Sequence, residues 1–253
     1  MAEHRFHTPN PVDLEISIPS GDMEIETIDG DESFVVVEGS EKLVEQMEVE
    51  LQGNRLVVAL RGKKPFGITI EIGGLFSFGN EKLRVRARVP HGSAATLKGA
   101  SADMHLAGRL RTLETNTASG DLALRGEVEG DATIKSVSGD VRLDRIGGDL
   151  RATSVSGDMV IDAVGGSVQT KSVSGDMRIR SVQGGEATLQ SVSGDIELGV
   201  AAGTNLDVDA NSVSGDLESE VALGSDPSGT GDGPTLVVRG KTVSGDFRLV
   251  RSS

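Results

Sequence analysis

Eight aspartates recur at nearly constant spacing, and they are the residues of this sequence best suited to chemistry. The first five intervals between them are 18, 19, 18, 18 and 19 residues, and seven of the eight close a phrase S/T-x-S-G-D. Carboxylates repeated in this way could coordinate Ca²⁺ or serve as the paired acids of a carbohydrate-active enzyme. The aspartates are Asp103, Asp121, Asp140, Asp158, Asp176, Asp195, Asp216 and Asp246.

The calcium hypothesis starts from the charge of this series. Carboxylates about 5 Å apart repel by roughly 0.8 kcal/mol even in water, so another interaction must offset the repulsion. Calcium-binding nonapeptide solenoids use G-G-x-G-x-D, whereas each phrase here lacks the second, spaced glycine. We therefore expect each carboxylate to accept backbone N–H bonds at its own turn, and we predict no metal and no cofactor. A calcium column of Asp121, Asp140, Asp158, Asp176, Asp195, Asp216 and Asp246 is the alternative.

A carbohydrate-active enzyme is a third and disfavoured hypothesis. The aspartates repeat too evenly to single out one acid–base pair. Three of the four histidines precede the repeats, and the repeats between the first 80 residues and Phe247 contain no aromatic ring on which a sugar could stack. We predict no catalytic residues and a protein that is not an enzyme.

A fixed period of 18–19 residues is typical of stacked coils rather than of a globular core. Residues 172–190 alternate apolar and polar side chains over 177–180 and again over 186–190, with a glycine pair at 184–185 between them. Each coil should therefore hold two short strands, paired in parallel with copies about 4.8 Å away. The sequence predicts an all-β fold, a right-handed parallel β-solenoid.

Each position of S-V-S-G-D has an expected structural role. Glycine should supply a positive φ or a close backbone approach at the bend, and serine and aspartate should bond to backbone groups. We expect the valine to fill the corner from inside. These valines are Val137, Val155, Val173, Val192 and Val213.

Two regions are predicted. Residues 1–95 should form a β region that caps the solenoid and continues it, and residues 96–253 should form the repeat array, with a loop insertion at 224–234. We expect Phe247 to cover the core of the last coil.

An apolar, glycine-rich stretch at 65–79 interrupts the N-terminal region and contains Phe66, Leu75, Phe76 and Phe78. An uncapped solenoid end would expose core and strand edges, so we expect this stretch to plug that end. The alternative is a docking loop for a partner.

The net charge of −14 and the pI of about 4.7 argue against nucleic acid as a partner and make a membrane surface an improbable one. The N-terminus has no apolar signal-peptide region, and no segment has the apolar length of a membrane span. The predicted location is the cytoplasm, with a trimmed exported protein as the alternative.

The repeat S-V-S-G-D followed by alternating apolar residues, led by LRVRARVP at 83–90, resembles the bacterial DUF4097 family, also called "putative adhesin". The resemblance covers nearly the whole chain, most strongly 95–250. It implies a fold similar to right-handed β-helices and no catalytic residues to carry over, and the adhesin name implies surface attachment. We predict a non-catalytic scaffold that presents repeated faces to a protein partner or to itself, with a calcium-dependent adhesion module as the alternative.

Overall fold

The computed structural model describes residues 1–61, 82–221 and 233–252. In this part of the chain, twenty strands form one sheet beside a single short helix, α1 (Glu41–Gln46). The stretch at 65–79 and residues 224–232 of the predicted insertion lie outside the described residues. The strands are β1 (Ala2–His7), β2 (Asp13–Ile28), β3 (Glu32–Glu38), β4 (Met47–Gln52), β5 (Arg55–Leu60), β6 (Leu83–Pro90), β7 (Ser93–Ser119), β8 (Leu122–Val128), β9 (Ala132–Ser136), β10 (Val141–Ile146), β11 (Leu150–Thr153), β12 (Met159–Val164), β13 (Val168–Lys171), β14 (Met177–Val182), β15 (Gly185–Gln190), β16 (Ile196–Val200), β17 (Asn205–Ser214), β18 (Leu217–Ser219), β19 (Thr235–Ser244) and β20 (Phe247–Arg251).

Each coil of the repeat region consists of two strands, which we call the first leg and the second leg. The first legs include β9, β11, β13 and β15, and the second legs include β10, β12 and β14. Every leg pairs in parallel with the same leg of the next coil, so that Leu143 lies beside Ile161 and Leu150 beside Val168. The predicted parallel β-solenoid is confirmed, with two short strands in each coil.

The inward side chains of successive coils form a continuous apolar core. In one column of the second leg, Leu143, Ile161 and Ile179 stack on one another and are at most 2% exposed. Complete burial of such a side chain contributes about 1.5–3 kcal/mol, so each coil depends on its neighbours to cover it. The same core cluster extends from Val12, which immediately precedes β2, to Leu249 in β20.

The N-terminal end of the stack changes strand direction. β2 runs through a corner and supplies both legs of a coil, and it pairs in parallel with β5 along one leg and with β6 along the other. Beyond that coil, β4 pairs antiparallel with β5, β3 with β6, and β1 with β3. In the neighbouring coil, β5 ends and β6 begins on either side of the position where other coils have their S-G-D corner.

At the C-terminal end, the order of the coils in space differs from their order in the sequence. β19 lies between β15 and β17, and β20 lies between β16 and β18. After β16, the chain leaves one layer open and forms the outermost coil with β17 and β18. It then returns, and β19 and β20 fill the open layer. Leu206 and Val208 of β17 therefore pair with Leu236 and Val238 of β19 and not with β15.

Phe247 occupies this inserted layer. Its side chain is 2% exposed, and a β-carbon added at Gly240 would collide with its ring. Phe247 therefore fills the space that a side chain at position 240 would take, and the prediction that it covers the last coil is wrong. The outermost coil instead leaves Leu217 of β18 52% exposed.

The glycine of the repeated phrase is required both by its backbone angle and by the closeness of the next coil. Gly157 has φ of +112°, a region that side-chain-bearing residues rarely adopt. A β-carbon there would also collide with the backbone oxygen of Gly139, one coil away. Successive corners can therefore stack at the separation of parallel strands only because Gly157 and Gly139 carry no side chains.

We predict that Gly157→Ala destabilises the protein more than Gly30→Ala. Gly30 has a similar φ of +126°, but no atom lies within 4 Å of its β-carbon position. Both variants strain the backbone, whereas only Gly157→Ala also forces two coils apart, which should cost about 1–3 kcal/mol more. Urea unfolding gives the two free energies, and equal losses would contradict the close-stacking account.

Candidate functional site

The repeated aspartates form a hydrogen-bonded ladder along one edge of the solenoid, which we call the aspartate ladder. One carboxylate oxygen of each aspartate except Asp216, which lies in the outermost coil, accepts the backbone N–H of the aspartate in the next coil. The expectation of bonds within a single turn is therefore wrong, because the donor belongs to the neighbouring coil. From donor to acceptor, the distances are 3.0 Å for Asp121 to Asp103, 2.8 Å for Asp140 to Asp121, 3.1 Å for Asp158 to Asp140, 3.0 Å for Asp176 to Asp158, and 2.9 Å each for Asp195 to Asp176, Asp246 to Asp195 and Asp216 to Asp246.

This ladder accounts for the column of like charges. A hydrogen bond to a carboxylate contributes about 1 kcal/mol or more, which offsets the repulsion of roughly 0.8 kcal/mol between neighbouring carboxylates in water. The repeat can therefore tolerate its carboxylates without a bound cation. Within the described residues, no group of three or more histidine, cysteine, aspartate or glutamate side chains is arranged to hold a metal ion.

A second ladder lies at the opposite turn of the coils. The Asp131 carboxylate accepts the N–H of Asp149 at 2.8 Å, and the Asp149 carboxylate accepts the N–H of Ser167 at 2.8 Å. Sequence reasoning missed these bonds. The signal was a second Gly-Asp pair, at 130–131 and 148–149, with the same 18-residue spacing.

The first serine of the phrase points into the solenoid and bonds locally. The hydroxyl of Ser154 donates to the backbone oxygen of Ser156 at 3.1 Å, and Ser172 does the same to Ser174 at 3.1 Å. These serines are buried, and a buried hydroxyl is tolerated when it is hydrogen-bonded. Because neighbouring residues of a strand point to opposite faces, the valine that follows each serine must point outward.

The valines of the phrase therefore do not fill the corner from inside, and that expectation is wrong. They form an exposed apolar column with one valine in each coil, which we call the valine ridge. Its members, in spatial order, are Val137 (49% exposed), Val155 (42%), Val173 (48%), Val192 (49%), Val243 (43%) and Val213 (78%).

Charges of opposite sign flank the valine ridge. On the first-leg side, an outward column contains Lys135, Lys171 and Lys241, which we call the lysine column. No ion-pair partner for these lysines is found among residues 1–61, 82–221 and 233–252. On the second-leg side lies the aspartate ladder. The valine ridge thus separates the lysine column, which has no ion-pair partner among the described residues, from the carboxylates of the aspartate ladder.

The outward face of the second leg is different, because its charges are paired internally. Arg178 bonds to Glu197 at 2.9 Å and Arg248 to Glu218 at 2.8 Å. The hydrogen bond that Arg248 donates to Glu218, together with the negative charge of Glu218, raises the pKa of Arg248. This column is therefore a solvent-facing surface of mixed, paired charge.

A shallow groove of about 400 Å³ lies against the first leg and is lined by Asp131, Asp149 and Glu186 among other residues. The two aspartates accept the backbone bonds of the second ladder, and Glu186 pairs with Arg239 at 2.7 Å. Every carboxylate that lines this groove therefore already has a partner. His105 lies outside it, exposed on β7.

The order of strands and the repeat can be compared with known proteins. The family model described as Toastrack DUF4097 matches residues 13–250. The chain belongs to the Toastrack DUF4097 family. The resemblance seen in the sequence is confirmed.

Crystal structures with a similar course of the chain carry names that refer to adhesion or lipid. A "putative adhesin" from Bacteroides fragilis NCTC 9343 is 16% identical over 98% of this chain and 96% of its own, with a TM-score of 0.48. A "putative lipid binding protein" from Parabacteroides distasonis ATCC 8503 is 14% identical over 99% and 96%, with a TM-score of 0.42. No curated protein matches the chain.

In the part of the chain that the structure describes, no helix has the length and apolar character needed to cross a bilayer.

We predict that Asp246→Ala destabilises the protein by about 1 kcal/mol, because the N–H of Asp216 loses its acceptor. Asp216→Ala should change stability by less than about 0.5 kcal/mol. The carboxylate of Asp216 accepts no backbone N–H from the described residues, because its coil is the outermost one. Thermal and urea unfolding measure both changes. If Asp216→Ala were the costlier variant, the spatial order of the last two coils would be wrong.

Asp176→Asn separates the role of the hydrogen bond from that of the charge. Asparagine retains an oxygen that can accept the N–H of Asp195, so we expect it to preserve stability, whereas Asp176→Ala should lose about 1 kcal/mol. Unfolding in calcium and then in chelator checks the alternative. A calcium-dependent rise in melting temperature that Asp176→Asn abolishes would favour the calcium column.

Proposed function

We propose that the protein is a non-catalytic interaction scaffold and that the valine ridge is its contact surface for a protein partner. The observation that carries the proposal is the repeated exposure of one valine in each of six consecutive coils. At the spacing of parallel strands, six coils extend the ridge over about 24 Å.

A single exposed valine would need no explanation, because folded proteins expose many apolar atoms. Six in one line form a continuous apolar patch, and such patches are typical of interaction sites. Val173 and Val192 illustrate the arrangement, since each is nearly half exposed and they lie in adjacent coils.

The scaffold also holds this surface rigidly. The aspartate ladder ties each corner to the next, on the second-leg side of the ridge. Backbone bonds across the corner itself link the N–H of Ser174 to the oxygen of Val155 at 2.8 Å and the N–H of Ser193 to the oxygen of Val173 at 2.9 Å. A preorganised surface loses little conformational entropy on binding. This rigidity favours binding of a partner by the valine ridge, although the ridge contains no aromatic side chain.

A binding role agrees with the state of the acidic groups. The carboxylates of the first-leg groove and one oxygen of each internal member of the aspartate ladder are engaged in bonds that hold coils together. We retain the cytoplasm as the predicted location, and a trimmed exported protein as the alternative.

We predict that Val173→Lys abolishes binding of protein partners, whereas Val160→Lys does not. Val160 also points outward, but it lies on the second leg, away from the ridge. The test immobilises the wild-type protein and both variants, incubates them with a bacterial extract, and quantifies the bound proteins by mass spectrometry. Loss of the same proteins from both variants, or from neither, would argue against the ridge as the contact surface.

A further inference from the structure

We propose that the valine ridge recognises the valine ridge of a second copy of this chain, about a two-fold axis parallel to the solenoid axis. The inference rests on the proposed function, because it uses the same surface, and it specifies the partner. Two independent features of the described residues support it, the spacing of the ridge and the charges beside it.

The first feature is the spacing of the ridge. Neighbouring valines belong to hydrogen-bonded coils, so they repeat at the separation of parallel strands, about 4.8 Å. A helix presents side chains at a 5.4 Å pitch, and a single extended strand presents them about 6.8 Å apart on one face. A second solenoid with the same coils matches all six valines in register, which neither of those elements can do.

The second feature is the charge on either side of the ridge, and it selects one orientation. Two ridges can face each other about a two-fold axis parallel to the solenoid axis or about one perpendicular to it. With the parallel axis, the lysine column of each copy faces the aspartate ladder of the other copy. With the perpendicular axis, lysines face lysines and carboxylates face carboxylates, which is repulsive.

The members of both flanks are available for such pairs. Lys171 has no ion-pair partner in the part of the chain that the structure describes, and Asp158 and Asp176 are exposed. One oxygen of each of these carboxylates accepts a backbone N–H, which leaves the other oxygen for a lysine of the second copy.

The size of the ridge limits the strength of this contact. A strip about 24 Å long and only a few residues wide buries less than the 1,200–2,000 Å² of a standard interface. We therefore expect a reversible dimer with a dissociation constant in the micromolar range or weaker. High salt should weaken it, because the flanking lysine–aspartate pairs are exposed and screened.

Cysteine cross-linking tests the orientation, since the chain has no cysteine of its own. About a parallel two-fold axis, each ridge position faces its own copy, so Val137→Cys and Val173→Cys should each form a disulfide-linked dimer on mild oxidation. We expect both to cross-link at least tenfold faster than Val160→Cys on the second leg. About a perpendicular axis, Val137→Cys would cross-link only with Val213→Cys at the other end of the ridge.

Sedimentation of the purified protein over a concentration series tests the association itself. We expect a monomer–dimer equilibrium that weakens at least tenfold in Val173→Lys and is unchanged in Val160→Lys. Val155→Lys serves as the second ridge variant if Val173→Lys does not fold, as judged by its unfolding curve. Cross-linking of Val137→Cys no faster than Val160→Cys, or preferentially with Val213→Cys, would overturn the proposal.

The two proposals fail separately. If the purified protein remains monomeric while extract proteins bind the ridge, the second copy is wrong as partner and the scaffold proposal stands. If purified dimers form and are unaffected by Val173→Lys, the ridge is not the dimer surface, and the inference is overturned. If neither self-association nor extract binding depends on the ridge, both proposals are wrong.

Discussion

The close approach of successive coils at the S-G-D corner is the constraint on which the rest of the structure depends. At Gly157 a side chain would collide with the backbone of the coil below, and at Gly139 with that of Gly120. With glycine at each corner, neighbouring coils approach to the spacing of parallel strands, and every leg can pair in register. The aspartate ladder follows from the same approach, because only at this distance does a carboxylate reach the N–H of the next coil.

The surface that we assign to binding is a by-product of this corner. The inward serine bonds to the backbone and turns the chain, and the strict alternation of a strand then places the valine outside. Repeated in six coils, a local consequence of backbone geometry becomes a continuous apolar ridge. Neither a pocket nor a catalytic group is needed for such a surface to recognise a partner, since its rigidity and its regular spacing provide the specificity.

Most charged groups described above in this acidic protein are engaged in contacts within the solenoid. Carboxylates of both ladders hold neighbouring coils together through backbone N–H groups, and ion pairs such as Arg178 with Glu197 neutralise the outward face of the second leg. The lysine column differs, because it lies beside the ridge without such partners in the described chain. The two sides of the valine ridge therefore differ, with lysines that are unpaired within the described chain on one side and hydrogen-bonded carboxylates on the other. This difference favours one orientation of a second copy over the other.

The sequence by itself determined the coil length, the two strands of each coil and the inward residues such as Ile161 and Ile179, because period and alternation are local properties. It also determined the family. Only the tertiary structure decided that Val173 points outward, because the alternation changes phase at a corner that propensity does not describe. The order of the last coils, with Phe247 in an inner layer, was equally hidden. Every coil carries the same phrase, so the sequence does not show which copy a repeat pairs with, whereas the structure places Phe247 in an inner layer, where it is buried.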